Sequence, residues 1–211
     1  MKVSEIYASL LGESTHTGRP AVLVRFTGCS LRCRYCDTAY AFHGGEERSP
    51  GEIADRVRSY GVELVLLTGG EPLEQEDLPR LIEILLDRGH EVIVETGGHR
   101  PIGAIDARVV KILDIKCPGS GHADDMIWSN IDALGPRDEV KFVIADRTDY
   151  EWAKEVLAAR LRGREGTVLL SAAHGRLLPA ALAEWILEDG LRVRLQVQLH
   201  RILWPDRDRG V

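Results

Sequence analysis

Short apolar runs rich in β-branched residues recur along the chain, and segments with a helical spacing of apolar residues separate them. Several of the runs show no alternation of apolar and polar positions, which is typical of parallel strands that are covered on both faces. This pattern predicts seven strands, at 21–26, 64–68, 91–96, 109–115, 139–145, 167–171 and 193–199.

The helices between these strands have recognisable ends. Ser49, followed by Pro50 and Glu52, forms a capping box with proline at the first helical position. Leucine and isoleucine at three- and four-residue steps predict a helix over 76–89, which Gly89 ends. Similar apolar stripes predict two further helices, around 152–159 and over 179–190.

Alternation of strands and helices predicts right-handed βαβ units and a parallel sheet. About six β/α units are too few for a closed eight-stranded barrel, so the expected α/β fold is a partial, incomplete TIM-type barrel. In such folds the chemistry gathers at the carboxyl ends of the strands. Without an internal repeat, a low-complexity tract or a linker, residues 1–211 are expected to form a single domain.

Charge and hydropathy narrow the functional class. The 211 residues include 27 Lys and Arg against 33 Asp and Glu, a net charge of −6. This balance argues against a protein that coats nucleic acid. No apolar run approaches the ~20 residues that span a membrane, and the first residues lack the organisation of a secretion signal. The expectation is a cytoplasmic protein with neither a membrane nor a direct nucleic-acid partner.

Three of the four cysteines lie within eight positions, as Cys29, Cys33 and Cys36. In a reducing compartment, clustered thiols indicate metal ligands or redox groups rather than disulfides. A 4Fe–4S cluster is usually held by four thiolates, so three protein ligands leave one iron with an open position. An open position generally marks a metal that binds a further molecule.

Two other metal sites fit part of this pattern. A zinc site would need Cys117 as its fourth ligand, but zinc sites favour C-x2-C pairs and the chain has no second pair. A ferredoxin-like electron carrier would also need a fourth ligand, and it would not need an α/β frame of this size.

Polar, glycine-rich sequence follows consecutive predicted strands. The second strand ends in 68-TGGEP-72, where two glycines let the backbone approach a ligand closely. The third ends in 95-ETGG-98 and the fourth in 114-DIKCPG-119, in which Cys117 is read as a small, half-buried thiol. A ligand that lies across the mouth of the sheet explains this repetition better than turns alone.

The C-x3-C-x2-C spacing, with Tyr35 before the last cysteine, resembles the signature of the radical S-adenosylmethionine (SAM) superfamily. The resemblance implies that the open iron chelates the amino and carboxylate groups of SAM. The cluster then donates an electron to SAM, and the resulting 5′-deoxyadenosyl radical abstracts hydrogen from a substrate. The segment at 69–72 resembles the superfamily motif that holds the amino group of SAM.

The stretch 9–29, the triplet 36-CDT-38, the ETGG segment and the tail 196-QVQLHR-201 together resemble the 7-carboxy-7-deazaguanine synthase family. This implies conversion of 6-carboxy-5,6,7,8-tetrahydropterin to 7-carboxy-7-deazaguanine by ring contraction with release of ammonia, on the route to queuosine and other 7-deazapurines. SAM is regenerated, so it acts as a cofactor. Mg²⁺, a homodimer and an electron donor such as flavodoxin or ferredoxin are implied as well.

The resemblance also implies roles for individual residues, with no catalytic side chain beyond the cofactor-borne radical. The 4Fe–4S cluster is expected on Cys29, Cys33 and Cys36, and Mg²⁺ on Thr38. SAM contacts are expected from Tyr35, Asp37, Gly69, Gly70, Glu71, Gly98, Cys117, Pro118 and Gly119. Substrate contacts are expected from Leu10, Leu11, Gly12, Glu13, Arg25, Thr96 and His200.

The chain departs from the family pattern at several positions. Leu11 stands where glutamine is usual and Ser14 where glycine is usual, and Cys117 and Gly119 replace serine and lysine. Simpler roles also exist: Thr38 as a loop cap, Arg25 in a surface ion pair and His200 as a structural hydrogen-bonder.

The alternative function is that of another radical SAM enzyme, such as an activase that installs a glycyl radical on a partner protein. Arg25, Thr38 and the ETGG segment favour a small anionic substrate with Mg²⁺ instead.

Overall fold

The computed structural model describes residues 1–211 and contains one nine-stranded sheet. The strands are β1 (Lys2–Leu10), β2 (Pro20–Phe26), β3 (Glu46–Glu47), β4 (Leu64–Gly69), β5 (Glu91–Thr96), β6 (Val110–Ile115), β7 (Glu139–Ile144), β8 (Thr167–Ala172) and β9 (Arg194–Gln196). Their order is β3-β1-β2-β4-β5-β6-β7-β8-β9. The seven strands from β2 to β9 in this order run parallel, whereas β1 is antiparallel to both of its neighbours.

The α-helices are α1 (Pro50–Arg58), α2 (Leu78–Asp87), α3 (Arg147–Arg160), α4 (Pro179–Glu188) and α5 (Leu199–Leu203). The capping box predicted for α1 is confirmed, because the Ser49 hydroxyl accepts from the backbone of Glu52 and the Glu52 carboxylate accepts from the backbone of Ser49. Gly89 follows α2 with a φ of 82°, the left-handed conformation that ends helices. None of the helices combines the length and the apolar character that crossing a membrane requires.

The predicted partial α/β barrel is confirmed, with two corrections. Of the six crossovers between parallel strands, four contain an α-helix, the one from β5 to β6 is irregular, and the one from β6 to β7 consists of short 3₁₀ turns. The strand predicted at 193–199 is only three residues long and leads into α5. It lies at the sheet edge, where one neighbour alone supports it.

The sequence pattern did not reveal β1. It pairs with β2 along nearly its whole length, and only one of its nine residues is buried. A half-exposed antiparallel strand carries a much weaker apolar signal than a strand covered on both faces.

The concave face of the sheet has two layers. An apolar layer fills its lower part, towards the amino ends of the parallel strands; among its members are Leu11, Leu23, Leu66, Ile93 and Ile112. Side chains two residues further along a strand point to the same face. These positions are polar and form an upper layer: Arg25, Thr68, Glu95 and Asp114. We call the polar layer (Arg25, Thr68, Glu95 and Asp114) the polar floor of the cavity and the apolar layer beneath it the apolar base.

Residues 12–15, between β1 and β2, reach the far edge of the sheet. The backbone oxygen of Gly12 accepts from the Leu199 amide at 2.9 Å, and the Ser14 amide donates to the Gln196 side chain at 2.6 Å. Thr15 donates to Glu139 on β7. This segment links the start of the chain to its end and bounds one side of the concave face.

Candidate active site

The three clustered cysteines follow β2 and line a single cavity at the carboxyl ends of the parallel strands. All three are free thiols with partial exposure. The Cys36 amide donates to the Cys33 backbone oxygen at 3.1 Å, so the end of the loop is a tight turn. The Arg34 amide donates to the Ser120 backbone at 3.1 Å, which ties the loop to the connection after β6.

The environment of Cys29 and Cys33 favours the protonated form of both thiols. Burial, together with the nearby Glu71 and Glu74, raises the pKa of Cys29 to about 11. Burial also raises the pKa of Cys33, against the opposing effect of Lys116. Thiolates bind metal and thiols do not, so loading of a metal centre here releases protons.

The donor set fits a 4Fe–4S cluster held by three cysteines. The three free thiols open onto the same cavity, and a cluster with three protein ligands needs no more than these. Cys117 is fully buried in the apolar core, with its sulfur 4.0 Å from the Ile115 backbone oxygen, and it does not line the cavity. The zinc site with Cys117 as fourth ligand is therefore wrong.

Gly69 and Gly70 pack against the backbone at the start of the cysteine loop. A Cβ atom on Gly70 would lie 1.7 Å from the Gly28 oxygen, and one on Gly69 would lie 2.3 Å from the Phe26 nitrogen. Gly69 also has a φ of 131°. The Glu71 amide donates to the Gly28 oxygen at 2.8 Å, so the two glycines allow the loops after β2 and β4 to join.

Glu71 connects this junction to the end of β5. Its carboxylate is fully buried and accepts from the Thr96 hydroxyl at 2.7 Å and from the Gly97 amide at 2.9 Å. His99 lies 3.6 Å from the same carboxylate. One glutamate therefore fixes the relative positions of two glycine-rich strand ends at the cavity.

Arg25 belongs to the polar floor of the cavity and is held by two residues of β1 and by Tyr40. Glu5 accepts from its Nε at 2.8 Å, the Tyr7 hydroxyl from Nη2 at 3.4 Å, and Tyr40 donates to the same Glu5 oxygen at 2.7 Å. Burial acts against the charge, but Tyr7, Tyr40 and Glu5 outweigh it and raise the pKa of Arg25. The ion pair with Glu5 exists, but only 12% of the Arg25 side chain is exposed, so it is not a surface pair.

Thr38 precedes the 3₁₀ turn Ala39–Phe42 at its N-cap position, yet its side chain makes no capping hydrogen bond. Its hydroxyl lies 3.7 Å from the Cys36 sulfur. The loop-cap alternative for Thr38 is therefore wrong. Next to it, Asp37 accepts from the Gln198 amide at 3.0 Å, and the Tyr35 hydroxyl donates to the Val143 backbone at 3.1 Å.

Segments near the two ends of the chain, around Gly12 and His200, meet at the remaining side of the cavity. His200 packs so closely on Gly12 that a Cβ there would lie 2.0 Å from its Nδ1. Burial lowers the pKa of His200, which Glu13 and Asp37 partly oppose, so the ring is neutral near pH 7. Glu13 accepts from Lys141 at 2.7 Å and from Gln198 at 2.8 Å.

Comparison with known proteins agrees with this geometry. The model of the radical SAM superfamily matches residues 23–175. A protein of Koribacter versatilis (strain Ellin345) named 7-carboxy-7-deazaguanine synthase is 43% identical over the whole of both chains. One of the same name from Chlorobaculum tepidum is 41% identical over all of this chain and 97% of its own.

The chain belongs to the 7-carboxy-7-deazaguanine synthase family of the radical SAM superfamily. The crystal structure of QueE from Escherichia coli has the same fold, with a TM-score of 0.77 over 93% of both chains at 21% identity.

Most of the residues that the family resemblance assigns line the cavity, and four do not: Gly98, Cys117, Pro118 and Gly119. The Cys117 side chain lies in the core. The Gly119 amide donates to Asp149 at 2.7 Å, and Met126 covers Gly98, 2.3 Å from where a Cβ would lie. The predicted SAM contacts of these four residues lack support in the structure.

Leu11, which stands where the 7-carboxy-7-deazaguanine synthase family usually has glutamine, belongs to the apolar base of the cavity and is 3% exposed. Ser14, which replaces the usual glycine, has a φ of 74°. This left-handed conformation is the physical reason why glycine suits the position.

Sequence reasoning missed several cavity residues of this family member: Thr68, Glu95, Asp114, Lys116, Lys141, Ser171 and Gln198. A signal for part of this set exists, since Thr68, Glu95 and Asp114 are each a polar residue near the carboxyl end of a largely apolar strand. The C-terminus also reaches the cavity, where the Val211 oxygen accepts from the Tyr7 hydroxyl at 2.9 Å.

Proposed function

We propose that the protein converts 6-carboxy-5,6,7,8-tetrahydropterin to 7-carboxy-7-deazaguanine with release of ammonia, in the biosynthesis of queuosine and other 7-deazapurines. The observation that carries the proposal is that the three free thiols and the buried Arg25 open onto one cavity. The chain is 43% and 41% identical in sequence, over its full length, to two proteins named as this synthase, which supports the same reaction.

Cys29, Cys33 and Cys36 would hold a 4Fe–4S cluster, which leaves one iron for SAM. When bound, cluster and SAM supply the 5′-deoxyadenosyl radical that abstracts hydrogen from the substrate. The protein fixes the relative positions of the loops that surround the cluster and SAM. Glu71 joins the loops after β4 and β5, and the Glu71 amide joins them to the cysteine loop.

Arg25 would bind the substrate carboxylate. Glu5 and Tyr7 engage its Nε and Nη2, which leaves Nη1 for a ligand. The guanidinium stays charged at every accessible pH, and its planar fork matches a carboxylate. Because Glu5 and Tyr40 fix its position in advance, little side-chain freedom is lost on binding.

Thr38 would hold Mg²⁺ together with the substrate carboxylate, because its hydroxyl is not engaged in capping and lies beside the cluster loop. A neutral oxygen ligand suits Mg²⁺, which keeps several of its waters. Thr38→Ala should weaken Mg²⁺-dependent turnover about 10-fold, with the cluster absorbance unchanged. Thr38→Ser keeps the hydroxyl and serves as the matched control. An Mg²⁺ dependence in Thr38→Ala equal to that of wild type would remove Thr38 from the site.

The same proposal includes one domain, a homodimer, an electron donor such as flavodoxin or ferredoxin, and a cytoplasmic location. Exposed apolar side chains support a subunit contact near the C-terminal edge of the sheet, at Leu178, Leu187, Leu195, Val197, Ile202 and Leu203. The exposed Arg32 and Arg34 beside the cluster cysteines support docking of an acidic electron donor.

The deciding experiment is anaerobic incubation of the iron-loaded protein with SAM, dithionite, Mg²⁺ and 6-carboxy-5,6,7,8-tetrahydropterin. The expected result is 7-carboxy-7-deazaguanine without any protein partner. A glycyl-radical activase would give no such product and would act only on a polypeptide, so failure here with a fully loaded cluster would overturn the proposal. The names of the relatives favour the synthase over the activase.

A further inference from the structure

The turn after β6 holds the cysteine loop on both sides of Cys33. The Arg32 amide donates to Nε2 of His122 at 2.9 Å, and the Arg34 amide donates to the Ser120 backbone oxygen at 3.1 Å. These amides belong to the residues directly before and after Cys33. Neither Ser120 nor His122 lines the cavity. The backbone around this cysteine is therefore supported from outside the cavity.

The support turn, residues 118–122, is itself fixed by buried hydrogen bonds. Ser120 is fully buried, and its hydroxyl accepts from the His122 amide at 3.0 Å. The Gly119 amide donates at 2.7 Å to Asp149, a fully buried carboxylate of α3. Buried hydrogen bonds of this kind are costly to break, because a group left without its partner keeps the full penalty of desolvation. The support turn is thus anchored to α3 before it meets the cysteine loop.

His122 accepts from the loop in only one neutral tautomer. A backbone N–H is a donor, so Nε2 must carry its lone pair towards Arg32. Nδ1 lies 2.7 Å from the carboxylate of Asp125, which accepts, so the ring proton belongs on Nδ1. Asp125 therefore selects the tautomer that receives the loop amide. A carboxylate that fixes an imidazole in this way is typical of the residues that surround metal ligands.

The other two cysteines are placed differently. Next to Cys29, the Gly28 oxygen accepts from the Glu71 amide at 2.8 Å, so this end of the loop is held by the turn after β4. The Cys36 amide donates to the Cys33 oxygen at 3.1 Å, so the position of Cys36 follows that of Cys33. Loss of the support turn would therefore affect the second and third cysteines and leave the first in place.

We infer that His122, oriented by Asp125, is a positioning residue that holds the loop between Cys29 and Cys33 in the conformation that binds the 4Fe–4S cluster. The inference rests on the part of the proposed function that places the cluster on three cysteines, and it does not depend on the substrate. A cluster with three thiolates has no protein ligand to spare, so freedom of the Cys33 segment makes the cluster easier to lose. A loop that is ordered beforehand also loses less conformational freedom when the cluster binds.

The test compares His122→Leu with His122→Gln in the cluster-loaded protein. Leucine has no acceptor for the Arg32 amide, whereas the glutamine side chain carries an oxygen that can take the place of Nε2. In His122→Leu, iron should pass to a chelator about 10-fold faster than in wild type, as measured by absorbance. Hydrogen exchange of the Arg32 amide, followed by mass spectrometry, should be about 5-fold faster. His122→Gln should stay within about 2-fold of wild type in both measurements.

His90→Leu is the matched control. The His90 ring also contacts a backbone group, the Glu63 oxygen at 3.0 Å, but it precedes β5 at the opposite end of the sheet. Its variant should release iron at the wild-type rate. Asp125→Ala tests the tautomer: 54% of the Asp125 side chain is exposed, so its removal leaves folding intact. This variant should accelerate iron release and Arg32 exchange in the same direction as His122→Leu, but by less.

Two results would overturn the inference. One is wild-type iron release and amide exchange in His122→Leu or, if that variant does not fold, in Asp125→Ala. The other is a His122→Gln variant that behaves like His122→Leu, because the volume of the ring and not its acceptor would then matter. Iron and sulfide in wild type are measured first, so absence of the cluster, which would contradict the proposed function, is distinguishable from failure of the inference.

Discussion

The cavity side with the cysteines and the side with Glu13, Glu95 and Lys141 are built in different ways. The first uses contiguous motifs whose backbones touch directly, as where the Glu71 amide binds the Gly28 oxygen. The second joins single side chains from distant parts of the chain, since Lys141 and Glu13 are 128 residues apart and Gln198 and Glu13 are 185 apart. The first side can therefore be predicted from short stretches of sequence, whereas the second can be identified only in the folded structure.

The strongest test of this contrast removes one cluster ligand. Cys33→Ala should abolish both the cluster and turnover, because two thiolates do not hold a 4Fe–4S centre. Iron and sulfide analysis with absorbance spectra measures the outcome. Cys117→Ala is the control: its thiol is buried in the core, so that variant should keep its iron at some cost in stability. A full cluster in Cys33→Ala would refute the ligand assignment.

The second test disturbs the backbone junction beside the cysteines. Gly70→Ala would place a Cβ 1.7 Å from the Gly28 oxygen and should cost about 3 kcal/mol of unfolding free energy, with loss of bound iron. Gly51→Ala is the comparison, because no atom lies within 4 Å of its Cβ position in α1, and it should be stabilising by up to about 1 kcal/mol. Thermal unfolding of both variants measures the difference. Equal stability of the two would show that the loops are not in close contact.

The same contrast explains what the sequence could reveal. The parallel strands and the helix caps are predictable because burial on both faces and capping depend on neighbouring residues. The cysteine loop and the Gly69–Gly70 turn are contiguous, although the reason for the two glycines, backbone contact with Gly28, appears only in the structure. The contact between Glu95 and Lys141 could not be predicted, because it joins side chains of two different strands.

His200 tests the side where the chain ends meet. Burial lowers its pKa in the folded protein below the value of about 6.5 expected in the unfolded chain. The unfolded state therefore binds the proton first, so the stability that neutral His200 contributes is complete above about pH 6.5 and is lost as the pH falls below it. His200→Gln should show a shallower loss of thermal stability between pH 7 and 5 than wild type. If thermal stability falls by the same amount between pH 7 and 5 in both proteins, His200 is not the buried group that titrates.

The smallest expected effect concerns Ser14, in the segment that joins the chain ends. Its φ of 74° costs a non-glycine residue about 1 kcal/mol, and its hydroxyl compensates by accepting from the His16 amide at 3.0 Å. Ser14→Gly exchanges this hydrogen bond for relief of the strain, so its unfolding free energy should lie within about 0.5 kcal/mol of wild type. Ser14→Ala keeps the strain without the hydrogen bond and should lose about 1 kcal/mol. At the exposed helical position Glu155 the order should reverse, with alanine about 1 kcal/mol more stable than glycine. If Ser14→Ala is more stable than Ser14→Gly, residue 14 does not adopt the left-handed conformation.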